Sequence, residues 1–569
     1  MELDKEMLIV KSPLFSWESA IVIIVALFIS FYGAFSAQGQ VVSSDEYEDC
    51  PTGSADSWLD IGNVKAQLFN SGALFWNGEG DAFYEVPKGS NRHSMFNQNL
   101  WMSGIVEDEI RVSASSYGPS QLWPGPTLPL DGVLSDCSAY DKIYEMRFAD
   151  DLVNAEKGGN ISTRIRYWPG NIGAPYIEVN GVDGYQPELG DRPGMRGDQA
   201  LWWIMNDKSG QRSSPLSKPL GVEVRVMAYA FGVPGVIGNT TFYQYEVVNK
   251  NETDISDFWI GFFNNPDIGN PEDDWVGTDS SLGMVYSLNG RNTDPDQNID
   301  RLGYGAAPPA IGITIIHASH KADTTFPRAT PYVEPGFNFS MRWCNCGDNG
   351  ISSSSKEIVY NQLRSRYAVG DRQIAYDHQN NTYAFSEYYL PGNLLNNEFW
   401  SATNIDGKGQ VDSPTDQHIL SSFGPVNIKP GETFSITVAI VWSRGDSNLD
   451  SFSQLKKDVR FVRERRDHIM KLRTRTPLIS PPSYDLQINL FPNPTSGSVN
   501  FSVSIPEQST LILRVVDSLG RLVASRKEML INAGNTTLPI DVEGWSPGIY
   551  HIQYSINGHY GARSFSVMK

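Results

Sequence analysis

The clearest chemical potential in this sequence lies in an acidic segment at residues 264–279, which reads NNPDIGNPEDDWVGTD. The candidate ligands among its five carboxylates are Asp267, Asp273, Asp274 and Asp279. Calcium prefers oxygen ligands of this kind, and clustered carboxylates repel one another unless a cation or solvent lies between them. The segment therefore predicts a calcium site, although its spacing differs from that of an EF-hand. Asn, Asp, Gly and Pro are also ordinary turn formers, so a plain acidic loop stays open as the alternative.

Two further acidic segments invite the same question. The first, at residues 178–198, offers oxygen ligands around turn-forming glycines, and its candidate ligands are Glu178, Asn180, Asp183 and Asp191. It predicts a second calcium site, with an ordinary Gly/Asp loop as the alternative. The second comprises Asp294, Asp296 and Asp300, which we interpret as a solvated loop.

Familiar catalytic motifs do not occur in the sequence. It has no HExxH zinc helix, no GxSxG nucleophile turn, no Walker A loop and no dinucleotide-binding glycine fingerprint. Paired carboxylates for glycoside cleavage remain open, because that chemistry needs two acids roughly 5–10 Å apart in space and a linear sequence does not reveal such distances. No catalytic residue is therefore assigned, and a secreted hydrolase acting on polysaccharide stays as the alternative function.

The cysteines indicate an oxidising compartment. The chain has four of them, Cys50, Cys137, Cys344 and Cys346, which allow three pairings that sequence cannot separate. Cys344 and Cys346 are one residue apart, so a bond between them would be strained, and each pairs more easily with Cys50 or Cys137. A zinc site would need neighbouring ligands that the sequence does not show.

The elements that must position these side chains are mainly strands. Apolar and polar residues alternate at residues 222–228, 243–247 and 434–440, which predicts antiparallel sheets. One helix is predicted at residues 450–471, with an apolar stripe and a cap at Asp450 or Ser451. Tryptophans at 101, 123, 202 and 203 could stack on sugars, but a core position is the favoured interpretation.

Composition and length set the class of protein. The chain has 569 residues, more than one hydrophobic core usually serves, and its 40% apolar content is globular. The net charge of −20 disfavours nucleic acid as a partner. Residues 20–37 are uncharged and apolar, so residues 1–37 are predicted to be a signal peptide, with a membrane anchor as the alternative.

The last 86 residues, 484–569, are predicted to form a separate sandwich. Residues 499–505 and 550–556 alternate with a period of two, and turn signals divide the segment into about seven strands, as in an immunoglobulin-like fold. The runs LFPNPT at 490–495, VVDSLGR at 515–521 and GIY at 548–550 resemble the type A sorting domain of the type IX secretion system. The resemblance implies that the sorting signal includes Pro492, Asn493, Pro494, Gly520, Gly548 and Tyr550.

The resemblance also implies a route and partners. Such domains direct passage through the outer membrane by the type IX secretion machinery, and many of their cargoes are then attached to surface lipopolysaccharide. Residues 45–473 resemble a widespread, uncharacterised type of exported cargo, carried by segments such as YEVPKGS at 84–90 and GDQALWW at 197–203. That similarity implies location and architecture, and no activity.

We therefore expect a secreted or cell-surface protein of the mainly β class. Its cargo would be a multidomain antiparallel β-sandwich at residues 45–473, with one helix near its C-terminal end, and a division into two subdomains stays open. A proline-rich linker at 474–483 would lead to the immunoglobulin-like, seven-stranded sandwich at 484–569. The expected role is a binding or structural, adhesin-like one, with glycans or surface lipopolysaccharide as partners and calcium as a stabilising cofactor.

Overall fold

The computed structural model describes residues 50–568, apart from 79, 81, 128–136, 154–160, 180–183, 211, 213–214, 216, 300, 322–335, 338, 345–351, 474–487, 506–508, 518–520 and 557–558. The predicted signal segment at 1–37 and the linker at 474–483 lie outside the described residues. No described helix is long and apolar enough to cross a membrane.

Strands dominate the described cargo region. In chain order they are β1 (Asp56–Leu59), β2 (Lys65–Phe69), β3 (Ala73–Leu74), β4 (Tyr84–Glu85), β5 (Asn97–Val106), β6 (Glu109–Ser113), β7 (Trp123–Pro124), β8 (Tyr144–Arg147), β9 (Tyr176–Ile177), β10 (Arg192–Pro193), β11 (Gln199–Asn206), β12 (Val222–Ala230), β13 (Thr240–Asn249), β14 (Ile255–Asn265), β15 (Asp274–Asp279), β16 (Met284–Asn289), β17 (Thr293–Asp294), β18 (Gly305–Ala306), β19 (Ala310–Lys321), β20 (Phe339–Cys344), β21 (Gln373–Asp377), β22 (Thr382–Ser386), β23 (Gln417–Ile428) and β24 (Thr433–Ser443). The α-helices are α1 (Thr163–Arg166), α2 (Lys356–Leu363), α3 (Asn448–Glu464) and α4 (Arg466–Ile469).

Two antiparallel sheets of nine described strands each form the cargo sandwich. The first sheet has the order β1-β2-β3-β5-β14-β23-β20, with β4 on β2 and β6 on β5. The second has the order β15-β16-β19-β24-β13-β12-β11-β7, with β8 on β11. One large apolar core draws side chains from both, for example Met102 and Phe262 from the first sheet and Val226 and Ile436 from the second. The prediction of a mainly β, antiparallel sandwich is confirmed.

The central strands are buried on both faces, which the alternating pattern did not predict. In β24, Ile436 and Val438 face the main core, while Ala439 and Val441 face a second core under α3. Helix α2 covers the other sheet in the same way, over a small cluster that contains Trp101. The polar residues that alternate along these strands, such as Ser435 and Thr437, are therefore buried as well.

Helix α3 confirms the predicted apolar stripe but not the predicted ends. Phe452, Leu455, Val459 and Val462 are all buried against the second sheet. The helix begins at Asn448, where Ser447 Oγ accepts from the backbone N–H of Asp450 at 3.0 Å, so the cap is Ser447 and not Asp450 or Ser451. It ends at Glu464, before the predicted limit. Helix α2 was not predicted.

The C-terminal segment has its own core and seven described strands. These are β25 (Ile488–Phe491), β26 (Ser498–Ile505), β27 (Ser509–Asp517), β28 (Leu522–Ile531), β29 (Gly534–Asp541), β30 (Gly548–Ile556) and β31 (His559–Val567). They form a sheet β25-β26-β29 and a sheet β28-β27-β30-β31, whose inward residues share one apolar cluster. This three-plus-four sandwich is the predicted immunoglobulin-like arrangement.

Candidate functional sites

The predicted sorting-signal residues at 492–494, together with Thr495, join the beginning of the C-terminal sandwich to its last strand. Asn493 Oδ1 accepts from the backbone N–H of Ser566 at 2.9 Å, and the backbone N–H of Thr495 donates to the carbonyl of Ser566 at 2.9 Å. The carbonyl of Thr495 in turn accepts from the Met568 N–H at 2.8 Å. Pro492 and Pro494 flank Asn493, so the motif fixes the chain where it passes from β25 towards β26.

Tyr550 and Gly548 lie together at the start of β30. The Tyr550 hydroxyl donates to the carbonyl of Ser546 at 2.8 Å, and its ring stacks on Phe565 with centroids 5.8 Å apart. The side chain is buried, so this residue closes the turn before β30 and packs it on β31. Gly548 lies in open space, with no atom near a Cβ added there. Gly520 lies outside the described residues.

A cleft of about 590 Å³ opens on the cargo, and it is lined by residues of β1, β2 and β4 and by Asn298, Arg301 and Leu302. Its lining includes Trp58, Phe83 and Phe96, which supply aromatic surface. Charged and polar side chains share the same lining, namely Lys65, Glu85, Asn91, His93, Asp267, Asn298 and Arg301. The volume is within the usual range for small-ligand sites, and aromatic walls with a few polar groups are typical of them.

The charged groups of the cleft are held in place by local contacts. Lys65 Nζ lies 4.3 Å from the centroid of the Trp58 ring, and Arg301 stacks over Phe96 at 5.1 Å. Glu85 Oε1 accepts from the backbone N–H of Asn91 at 2.7 Å. Each of these two cations therefore lies over an aromatic ring that also lines the cleft.

Asp267 connects the cleft to a polar network behind it. Its carboxylate lies 3.5 Å from Arg301 Nη1, yet burial and the nearby charge of Asp416 raise its pKa well above the usual range. Asp416 Oδ1 lies 3.3 Å from Nε2 of the fully buried His418, which contacts the Tyr117 hydroxyl at 3.0 Å. Burial raises the pKa of Tyr117. Asp267 thus lies within electrostatic range of a group formed by Asp416, His418 and Tyr117.

The predicted calcium ligands of segment 264–279 are brought together only in part. Asp267, Asp273 and Asp274 are buried close enough for the charges of Asp267 and Asp273 to raise the pKa of Asp274 beyond what burial does. Asp279 lies at the far end of β15, where its carboxylate contacts Lys456 Nζ at 2.8 Å and caps the turn at Ser281. Burial opposes its ionisation, but Lys456 and Ser281 outweigh it and lower the pKa of Asp279.

Asp294 corrects the prediction of a solvated loop at its own position, whereas Asp296 is exposed and Asp300 lies outside the described residues. The residue is buried, and its carboxylate accepts from the backbone N–H groups of Asn270 at 3.1 Å and Tyr304 at 2.6 Å. Gly269 has φ +64°, and a Cβ there would collide with the Asp294 carboxylate. Asp294 is therefore the anchor for the 267–270 loop, a role that needs a partner 24 residues away and that local sequence could not reveal.

In the second predicted calcium segment, Asp191 has a structural role. It is fully buried, and its two oxygens accept from the backbone N–H groups of Val179 at 2.9 Å and Gln186 at 2.8 Å. Glu178 is exposed, while Asn180 and Asp183 lie outside the described residues. Within the described ranges, no three His, Cys, Asp or Glu side chains are arranged to hold a metal ion.

The cysteines and tryptophans complete the sequence-predicted residues. Cys50 is disulfide-bonded. Cys137 begins a single 3-10 turn, Cys344 ends β20, and Cys346 lies outside the described residues, so the pairing stays open. The four tryptophans at 101, 123, 202 and 203 are buried, which confirms the core interpretation.

Fold and sites together define an exported, mainly β protein with a separate C-terminal delivery sandwich. The family model for the secretion system C-terminal sorting domain matches residues 489–567. The chain is thus a type IX secretion cargo that carries a C-terminal sorting domain, and it is secreted or displayed at the cell surface. The sorting domain implies interaction with the type IX machinery. No curated protein matches the chain.

Among solved structures, the chain is similar to a polysaccharide lyase, at 10% identity with a TM-score of 0.18, covering 72% of this chain and 41% of that one. It is also similar to PorZ, a surface component of the type IX secretion system of Porphyromonas gingivalis, at 10% identity with a TM-score of 0.12, covering 69% and 47%. A third match, the alkylpurine DNA glycosylase AlkC of Pseudomonas fluorescens, has 16% identity and a TM-score of 0.12, covering 15% and 29%. The chain spans less than half the length of each, and likenesses this low carry no argument about activity.

Proposed function

We propose that this exported protein is a surface or secreted binding protein that takes a glycan in the cleft beside Trp58. The observation that carries the proposal is the lining of that cleft, which combines the aromatic side chains of Trp58, Phe83 and Phe96 with charged and amide groups. Aromatic faces stack on the apolar faces of sugar rings, and the surrounding polar groups suit hydroxyls. The adhesin-like role expected from the sequence is consistent with this site.

The test is a glycan array probed with the full chain and with Trp58→Ala. Loss of the ring should weaken binding by roughly tenfold or more, equivalent to ~1.4 kcal/mol. Tyr383→Ala is the matched control, because Tyr383 is an exposed aromatic of hairpin β21–β22 that does not line the cleft. Equal binding by wild type and Trp58→Ala, with both variants folded, would remove the proposal.

A polysaccharide-cleaving enzyme is the second candidate, favoured by one observation. Glu85 and Asp267 line the same cleft, and the raised pKa of Asp267 keeps a proton available for a leaving group. Incubation with the bound polysaccharide should then release new reducing ends, and Glu85→Gln and Asp267→Asn should abolish the release while leaving binding. A purely binding role predicts no release from any of the three proteins.

A further inference from the structure

Three buried polar side chains lie next to one another where β15 begins and β16 ends, and they are Asp273, Asp274 and Asn289. Asp274 and Asn289 are directly opposite each other in the antiparallel β15–β16 ladder, so their side chains project from the same face. The Asn289 side-chain amide donates to Asp273 Oδ1 at 2.9 Å, which brings Asp273 to that face as well. Their exposed fractions are 3% for Asp273, 1% for Asp274 and 0% for Asn289.

Each of these side chains has one oxygen with no hydrogen-bond donor among the described residues. The oxygens are Asp273 Oδ2, Asp274 Oδ1 and Asn289 Oδ1. The opposite oxygen of each carboxylate is occupied, since Asp274 Oδ2 accepts from the Ile268 N–H at 2.8 Å and Asp273 Oδ1 from Asn289. The side chains are thus fixed, and the three acceptors that lack a described donor are held in place around Asn289.

Acceptors buried in this way are costly unless something supplies positive charge. An unsatisfied buried oxygen loses its hydration, and a buried carboxylate loses more. The neighbouring charges add to the cost, because Asp267 and Asp294 both act on Asp274. The charge of Arg291 favours the ionised form of Asp273, but the Arg291 side chain is exposed to solvent. Arg301 forms an ion pair with Asp267.

We propose that Asp273, Asp274 and Asn289 bind a calcium ion through these three oxygens. Two carboxylates and an amide carbonyl are hard oxygen ligands of the type that calcium takes, with water or backbone carbonyls completing its shell. A site with only two acidic residues is compatible with the lack of any three-acid cluster in the described chain. Of the four ligands predicted from the sequence, Asp273 and Asp274 remain and Asn289 is added. Asp279 is left out because its carboxylate is bound to Lys456, and Asp267 because its carboxylate faces Arg301.

The experiment is thermal melting of the full chain in CaCl₂ and in EDTA, with MgCl₂ as a parallel arm. Calcium at about 100 times its Kd should raise the Tm by on the order of 5 °C, reversibly on chelation. Asp274→Asn should lose that rise. Asp279→Asn, the matched control, should keep it, because this carboxylate belongs to the same sequence segment but lies outside the site.

Asn289→Asp keeps the proposal testable if Asp274→Asn does not fold. A third carboxylate should strengthen calcium binding and enlarge the calcium-dependent rise in Tm, since ligand charge tunes affinity. No rise in the wild type would overturn the proposal. So would an equal rise in Asp274→Asn, which would place the ion elsewhere, or an equal response to magnesium, which would remove the assignment to calcium.

Discussion

Among the single residues, buried carboxylates govern the chemistry of the 264–304 region. Burial raises the pKa of Asp273 to about 6 and that of Asp294 to about 7. Asp294 also faces Asp273 and Asp296, which oppose its ionisation, while two backbone amides and the more distant Arg444 favour it. Without a bound cation, these side chains therefore hold protons in the folded protein at pH values where the unfolded chain has released them.

The sign of the resulting pH dependence follows. The folded state binds the Asp294 proton more tightly than the unfolded state does. The resulting contribution to the free energy of unfolding is fully present below the unfolded pKa of 3.8, and it is lost as pH rises through the folded pKa of about 7. In EDTA, the Tm difference between wild type and Asp294→Asn should thus shrink between about pH 5 and pH 8. Thermal melts followed by circular dichroism at fixed ionic strength measure this Tm difference.

Asp279→Asn serves as the control for that measurement. Its folded pKa is lowered, so its stabilisation is present at neutral pH and is lost only as pH falls through the acid range. The Tm difference between wild type and Asp279→Asn should stay constant from about pH 5 to pH 8. A constant difference for Asp294→Asn as well would contradict the assignment of raised pKa values in this cluster.

Among the secondary-structure elements, helix α3 is the cover of the second sheet. Leu455 is fully buried, and it lies so close to β19 that a Cβ on Gly312 would approach its Cδ atoms to 3.2 Å. The absent side chain at Gly312 lets the helix pack directly on the strand. The helix thereby removes from water the apolar face of β19 and β24 that points away from the sandwich core.

Leu455→Ala should therefore destabilise the cargo by about 2–5 kcal/mol, the usual cost of such a cavity. Denaturant unfolding followed by tryptophan fluorescence measures this difference in the free energy of unfolding. Arg460→Ala on the exposed face of the same helix should change it by less than about 0.5 kcal/mol. Similar values for the two variants would mean that α3 does not protect this core.

Within the described residues, the cargo sandwich and the C-terminal sandwich have separate hydrophobic cores. The apolar cluster of residues 488–567 shares no residue with the clusters of the cargo, so each has its own core. The sorting-domain match falls entirely within the C-terminal sandwich. The cleft beside Trp58 and the buried carboxylates at 267, 273, 274 and 294 all belong to the cargo.

Deleting residues 484–569 should leave the cargo folded but stop its export. The truncated chain should accumulate in the periplasm, because it lacks the domain that the type IX machinery recognises. Immunoblots of medium, surface-digested cells and periplasm, beside the full chain from the same promoter, measure the distribution. Normal amounts of truncated protein outside the cell would refute a delivery role for this domain.

Local patterns were enough to predict the strand-rich class, the apolar face of α3 and the sorting domain, because each depends on periodicity or on a contiguous motif. They also placed Asp267, Asp273 and Asp274 in one segment. Only the tertiary structure established that the Asp279 carboxylate contacts Lys456, that the Asn289 amide bonds to Asp273 and that Asp294 holds the backbone at Asn270. It also brought Trp58, Glu85 and Arg301 together in one cleft. The reason is that strand pairing brings residues from distant positions together, and no local pattern records which ones will meet.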